Sequence, residues 1–392
     1  MDKLQAFLTG ELTGLKERGV FIRPRVLETE QKATVVMDGR EVITLSSNNY
    51  LGLTVHPRLR QAAIEATERY GVGSGAVRTI AGTMTLHIEL EEKLARFKHT
   101  EASLTMQSGY ATNLGVISAL MQEGDLIISD ELNHASIIDG IRLCKAARKV
   151  FRHKDMADLR RVLEESKDAN KVMVVTDGVF SMDGDVAPLA EIVTLAEQYG
   201  AFVMVDDAHA SGVLGKNGRG SVSHFGLDGR VALQIGTLSK GIGALGGYVA
   251  CSQDMKDYLL NRARPVLFST SHPPSVVATC IAALDILEDD NSLVERLWEN
   301  TSFFKKGLEQ LGFNTGQSET PITPVIVGAG PLAVKLSTRL FEEGVFAQAI
   351  VYPTVAVDKC RVRTIVTALH SNAELTKALD VFERVGKELA II

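Results

Sequence analysis

A chain of 392 residues, 45% hydrophobic and 23% charged, holds enough apolar material for one large domain and a smaller one. Its net charge of -6 presents no basic surface to nucleic acid, and it contains no apolar run of about 18 residues that would predict a membrane span. The cysteines Cys144, Cys251, Cys280 and Cys360 form no Cys-x-x-Cys pair, which argues against a zinc site or a disulfide framework and fits a reducing, cytoplasmic setting.

Leu4, Phe7, Leu8, Leu12 and Leu15 recur at helical spacing and predict an amphipathic helix over residues 3–18, too mixed in charge for an export signal. Thr34–Met37 and Glu41–Leu45 flank Asp38-Gly39 and predict a hairpin. Ser46-Ser-Asn-Asn-Tyr-Leu-Gly-Leu53 leaves that hairpin with many small polar groups. From there to about residue 275, helical patterns alternate with short apolar strands at 102–106, 126–129, 172–176, 202–205, 232–235 and 247–250. Such alternation predicts an α/β domain, a mostly parallel sheet covered by helices, with ligands beyond the carboxyl ends of its strands. Long helices over 276–312, a strand at 324–327, a helix near 331–343, a strand at 361–367 and a last helix near 373–390 form a C-terminal unit. The expected division is 1–53, 54–275 and 276–392, the first segment joining the third in a discontinuous small domain.

The chemistry-bearing residues fall where a parallel sheet would place a ligand. In Gly236-Thr237-Leu-Ser-Lys240-Gly241, glycines and hydroxyls surround a lysine between two strands, the setting of a Schiff-base lysine whose hydroxylic neighbours hold a phosphate. A strand-end lysine reaching solvent is the competing reading. Gly241-Ile-Gly243-Ala-Leu-Gly246 matches a dinucleotide fingerprint in form only, since a strand and not a helix follows it. Asp206 ends a strand, with His209 three residues on; the pair suits a protonated ring nitrogen, and a metal or a helix cap at Asp207 fits the same residues. His134 stands at a helix start, where an imidazole can stack on a flat ring and act as general acid, or be a satisfied loop histidine. Gly109 and Tyr110 open a helix whose free N–H groups suit a phosphate, as any helix start does. Arg363, alternating with Arg361 on a strand, is a candidate carboxylate clamp or an edge-strand arginine facing water.

The joint order of these segments resembles the α-oxoamine synthases, within the fold-type I pyridoxal phosphate enzymes. The resemblance runs from Ser46-Ser-Asn-Asn-Tyr-Leu-Gly-Leu through Asp130-Glu-Leu-Asn-His-Ala-Ser, Val205-Asp-Asp-Ala-His-Ala-Ser-Gly, Gly236-Thr-Leu-Ser-Lys and Phe268-Ser-Thr-Ser to Arg363. It implies pyridoxal 5'-phosphate as cofactor and no metal. Lys240 is then the Schiff-base lysine, Asp206 the partner of the pyridine nitrogen, His209 and Ser181 contacts of the ring hydroxyl, and His134 the stacking group and proton donor. Gly109, Tyr110 and Thr237 would hold the phosphate, while Ser269 and Thr270 would reach the phosphate of a neighbouring subunit, which implies a homodimer with shared active sites. Asn48, His134, Thr354 and Arg363 would receive substrate, Arg363 through the carboxylate of an amino acid that condenses with an acyl-coenzyme A.

Within that family, Gly75-Ala-Val-Arg-Thr-Ile-Ala-Gly-Thr-Met-Thr-Leu-His87 is similar to the glycine C-acetyltransferase branch. Val351-Tyr-Pro-Thr-Val355 lacks the arginine often found there in the 8-amino-7-oxononanoate synthases, although Phe268-Ser-Thr-Ser-His-Pro-Pro resembles them. The expected reaction is therefore glycine with acetyl-coenzyme A; alanine with a pimeloyl thioester, or dual specificity, comes second, and an aminotransferase or a non-catalytic cofactor-binding protein is the reading from outside the class.

Overall fold

The computed structural model of the chain describes residues 1–19, 21 and 23–392. Its strands are β1 (Thr34–Met37), β2 (Arg40–Thr44), β3 (Ala102–Met106), β4 (Leu126–Asp130), β5 (Ala147–Phe151), β6 (Val172–Asp177), β7 (Phe202–Asp206), β8 (Leu233–Thr237), β9 (Gly247–Cys251), β10 (Ile322–Gly328), β11 (Val345–Phe346), β12 (Gln348–Ile350) and β13 (Cys360–Ile365).

Seven of them form one sheet in the order β3-β9-β8-β7-β6-β4-β5. Only β9 runs against its neighbours; the other pairings are parallel. Every residue of β3, β4, β6, β8 and β9 is buried. Helices cover both faces, which is why strands such as β6 and β9 read as nearly continuous apolar runs. The edge strand β5, Ala-Arg-Lys-Val-Phe, is mostly exposed and escaped the sequence reading. Its charges are the usual protection of a sheet edge, and they erase the apolar signal.

Two three-stranded sheets complete the molecule, β1-β2-β11 and β10-β13-β12. The hairpin β1–β2 is thus extended by a segment some three hundred residues later in the chain, β11, which pairs in parallel with β2. The stretch after β2 is held to the strand β13 and its exit: Ile365 donates its N–H to the Leu45 carbonyl and Ala368 to that of Tyr50, both at 2.7 Å. The N-terminal helix forms over Asp2–Glu17, but none of its residues is buried. Among the described residues no helix is long and apolar enough to cross a membrane.

Candidate active site

A cavity of about 260 Å³ opens at the carboxyl ends of β6, β7 and β8, lined among others by Gly109, His134, Ser181, Asp206, His209 and Lys240. A wider groove of about 540 Å³ beside Leu214, His224, Trp298 and Glu319 gathers no comparable set of reactive groups.

Lys240 is partly buried and turns into this cavity. Its Nζ lies 3.0 Å from His209 Nε2, whose Nδ1 in turn lies 2.7 Å from the hydroxyl of Tyr50. Burial pushes the Lys240 amine below its ordinary range, and Arg363 adds to this, against the pull of Asp206 and Asp177. Burial, then the positive charges of Lys240 and Arg363, hold His209 well below an ordinary histidine, so its ring is neutral.

Asp206 closes β7 and Asp177 closes β6, and the two are register partners. Asp206 accepts the Ala208 N–H at 2.8 Å on one oxygen and the Asn113 amide at 2.6 Å on the other. Asn113 also donates to Ser136 at 2.9 Å, tying the helices Gly109–Leu120 and Ala135–Leu143 to the sheet beneath the site. Burial and the adjacent Asp206 raise Asp177 well above the usual carboxylate range; it accepts the His134 N–H at 2.9 Å. The neighbouring Asp207 does not cap the segment that follows it. It turns into the core against Lys98, at 2.8 Å, both side chains being fully buried.

His134 caps the helix Ala135–Leu143, its Nδ1 accepting the Ser136 N–H at 3.2 Å, which leaves the ring proton on Nε2. On the opposite wall Ser108 caps the helix Gly109–Leu120 through the Ala111 N–H, so the N–H groups of Gly109 and Tyr110 have no acceptor within the helix. A Cβ on Gly109 would stand 3.2 Å from that of Thr237, which shows how closely β8 approaches this helix start. The Thr237 hydroxyl bonds Ser239 at 2.7 Å and the Gly246 carbonyl at 2.9 Å. Tyr110 is half exposed, its hydroxyl 2.6 Å from Asp139.

Arg363 is not on an edge, because β13 lies between β10 and β12. It donates to the Ser181 carbonyl at 3.0 Å, and Arg361 reaches the same loop through Asp183 at 2.6 Å and the Met182 carbonyl at 3.0 Å. Asn48 is partly buried and its Oδ1 lacks a partner among the described residues. Ser269 and Thr270 lie outside the cavity lining, Thr270 exposed and bridged to Val77, and Thr354 sits exposed in the loop between β12 and β13. Tyr50, Asn113 and Ser136 were not among the sequence candidates, and Asp177 was given no role there. For Asp177 a signal existed, since it ends its strand as Asp206 does.

The family model for aminotransferase class I and II matches residues 40–382. The 8-amino-7-oxononanoate synthase of Exiguobacterium sibiricum is 61% identical over 385 residues, covering 98% of this chain and 99% of that protein. The 8-amino-7-oxononanoate synthase of Symbiobacterium thermophilum is 60% identical over 390 residues, covering 99% of this chain and all of that one. Among solved structures, a serine palmitoyltransferase variant from S. paucimobilis with a bound pyridoxal phosphate–myriocin aldimine superposes with a TM-score of 0.93 at 33% identity, covering 98% of each chain. The fold is thus fold-type I, as expected. The glycine C-acetyltransferase branch is overturned by the two full-length relatives. The structure explains the error: Arg78, the core of the misleading segment, is buried against Glu91 at 2.6 Å and Thr105 at 3.2 Å, and a Cβ on Gly82 would strike the Ala76 carbonyl. Those residues hold the scaffold together.

Proposed function

Since the chain belongs to the aminotransferase class I and II family, and within it to the pyridoxal phosphate-dependent α-oxoamine synthases, we propose that it condenses alanine with a pimeloyl thioester to give 8-amino-7-oxononanoate. The observation that carries this reading is the 61% identity, along the full length of both chains, to a protein of that activity. The carbon balance, alanine plus a pimeloyl group against a nonanoate, requires the carboxylate of the amino acid to leave as carbon dioxide and the thiol to leave from the acyl donor.

The residues present fit pyridoxal phosphate. A buried amine, a carboxylate held by two donors at a strand end, and free N–H groups beside Thr237 match an aldehyde, a ring nitrogen and a phosphate in turn. When bound, that group supplies an electron sink that makes the α-carbon of the amino acid nucleophilic. Asp206 keeps a proton on the ring nitrogen, because its charge favours the protonated form. Lys240, an amine depressed by burial, takes the α-proton and returns it. His134, with its ring proton on Nε2, donates to the thioester oxygen as negative charge develops there. Arg363 and Asn48 receive the alanine carboxylate, and His209 and Ser181 orient the ring. Thr354 contributes a substrate contact. Ser269 and Thr270, outside the cavity of their own chain, complete the site of a second copy in a homodimer.

Thiol release tests the reading. Purified protein is given alanine with pimeloyl-coenzyme A, and separately glycine with acetyl-coenzyme A, beside a Lys240→Ala control. Release is expected with the first pair and a fall of at least ~100-fold in the control, the scale of a lost acid–base group. Turnover confined to glycine and acetyl-coenzyme A would refute it.

A further inference from the structure

Tyr50 stands outside the main sheet, in the stretch after β2, and is completely buried. Its ring meets that of His209 edge-on, with centroids 6.1 Å apart and planes at 86°. Among the described residues its hydroxyl has one polar partner, His209 Nδ1 at 2.7 Å. A buried hydroxyl carries one proton and accepts through two lone pairs. If His209 donated from Nδ1, the phenol proton would be left without an acceptor in the interior, an arrangement native structures avoid. The phenol therefore donates, Nδ1 accepts, and the proton of the neutral ring sits on Nε2. That N–H points at Lys240 Nζ, 3.0 Å away, and needs a lone pair there. An ammonium has none.

We propose that Tyr50 is a positioning residue: it locks His209 in the Nε2–H tautomer, which in turn presents Lys240 to the cofactor aldehyde as a free amine. This rests on the reading that Lys240 carries the cofactor. In loading, the amine lone pair forms the new carbon–nitrogen bond and the aldehyde oxygen departs as water, so only the unprotonated lysine reacts. Other groups facing Lys240 pull in both directions. Asp206 and Asp177, at the ends of β7 and β6, favour the ammonium, whereas Arg363 on β13 and burial favour the amine. His134, on the helix wall, and His209 are both disfavoured as cations by burial and by Lys240, with Asp206 opposing this at His134. The tautomer lock adds to the side of the amine.

Two measurements test this, and neither depends on condensation. Loading of pyridoxal 5'-phosphate into cofactor-free protein is followed by visible absorbance from neutral to alkaline pH, in wild type and Tyr50→Phe. The variant should load about tenfold more slowly at neutral pH, the effect of one unit in the pKa of the amine, and the gap should close in alkali, where hydroxide removes the proton instead. Parallel profiles, the mark of a merely structural tyrosine, would overturn the proposal. The second measurement uses no Tyr50 variant: nitrogen NMR of the histidine rings in the wild-type apoprotein, with His209 identified by the signal missing in His209→Asn. Protonated Nε2 and bare Nδ1 are expected, and a protonated Nδ1 would overturn the lock even if Tyr50→Phe does not fold. Failure of the alanine assay with this tautomer intact would count against the proposed reaction alone; undiminished loading of Lys240→Ala would remove the premise of both.

Discussion

Arg363 and Arg361 are two residues apart on β13 and reach one loop, yet their surroundings separate them. Arg361 is almost wholly buried and paired with Asp183, whereas Arg363 is partly open and, among the described residues, holds the neutral carbonyl of Ser181 alone. A neutral partner is readily exchanged for a carboxylate, which can take both arms of the guanidinium. Replacing Arg363 with Lys should therefore raise KM for alanine about tenfold or more, with a smaller change in kcat, because one ammonium cannot reproduce the fork. Steady-state kinetics at varied alanine would show it; an unchanged KM would remove Arg363 from substrate binding. Lys240, Asp206 and His134 could be picked out from the sequence because each stands at a strand end or helix start within a recognisable local pattern. Tyr50 could not, since its side-chain hydrogen bond to His209 spans 159 positions.

At the scale of elements, the site depends on how closely β9 passes the start of the helix Gly109–Leu120. A Cβ on Gly247 would lie 2.5 Å from the Gly109 nitrogen and from the Ser108 carbonyl. These are backbone atoms that cannot swing aside. Gly247→Ala should cost about 1–3 kcal/mol, the range for overpacking, and should also weaken pyridoxal phosphate binding by pushing the helix start away from Thr237. Urea unfolding and cofactor titration would each report on it, and an alanine variant as stable as wild type, with the same cofactor affinity, would contradict the close approach. The buried strands were legible because both faces are covered and their residues are mostly apolar, whereas β5 was hidden by the charges that protect an edge. The misread Arg78 segment shows the complementary limit: a familiar string of residues can be bound up with packing.

Across the whole molecule, one charged cluster ties the main sheet to the C-terminal unit. His153 bonds Asp130, at the end of β4, at 3.0 Å and Asp185 at 2.9 Å, while Lys154 pairs with Asp185 at 3.1 Å and Glu319 at 3.4 Å. Burial works against a charge on His153, but the two carboxylates outweigh it and hold the imidazole up at about 9. The folded pKa lies above the ordinary 6.5, so the stabilisation is complete below about pH 6.5 and is lost as pH rises through 9. Wild type should lose, between those values, of the order of 2–3 kcal/mol that His153→Gln never had; denaturant midpoints at both pH values would measure this, and equal declines would refute it.

The pairing of β2 with β11, and of the Tyr50 stretch with the residues just past β13, has a consequence for how the chain comes into being. Until Ile365 and Ala368 have left the ribosome, Leu45 and Tyr50 lack the N–H groups that hold them. The nascent chain can build its central sheet, and with it Lys240 and Asp206, well before the tyrosine that steadies His209 has a place to rest. The reactive centre depends on contacts between segments more than three hundred positions apart, and long-range closure of that kind is slow in folding.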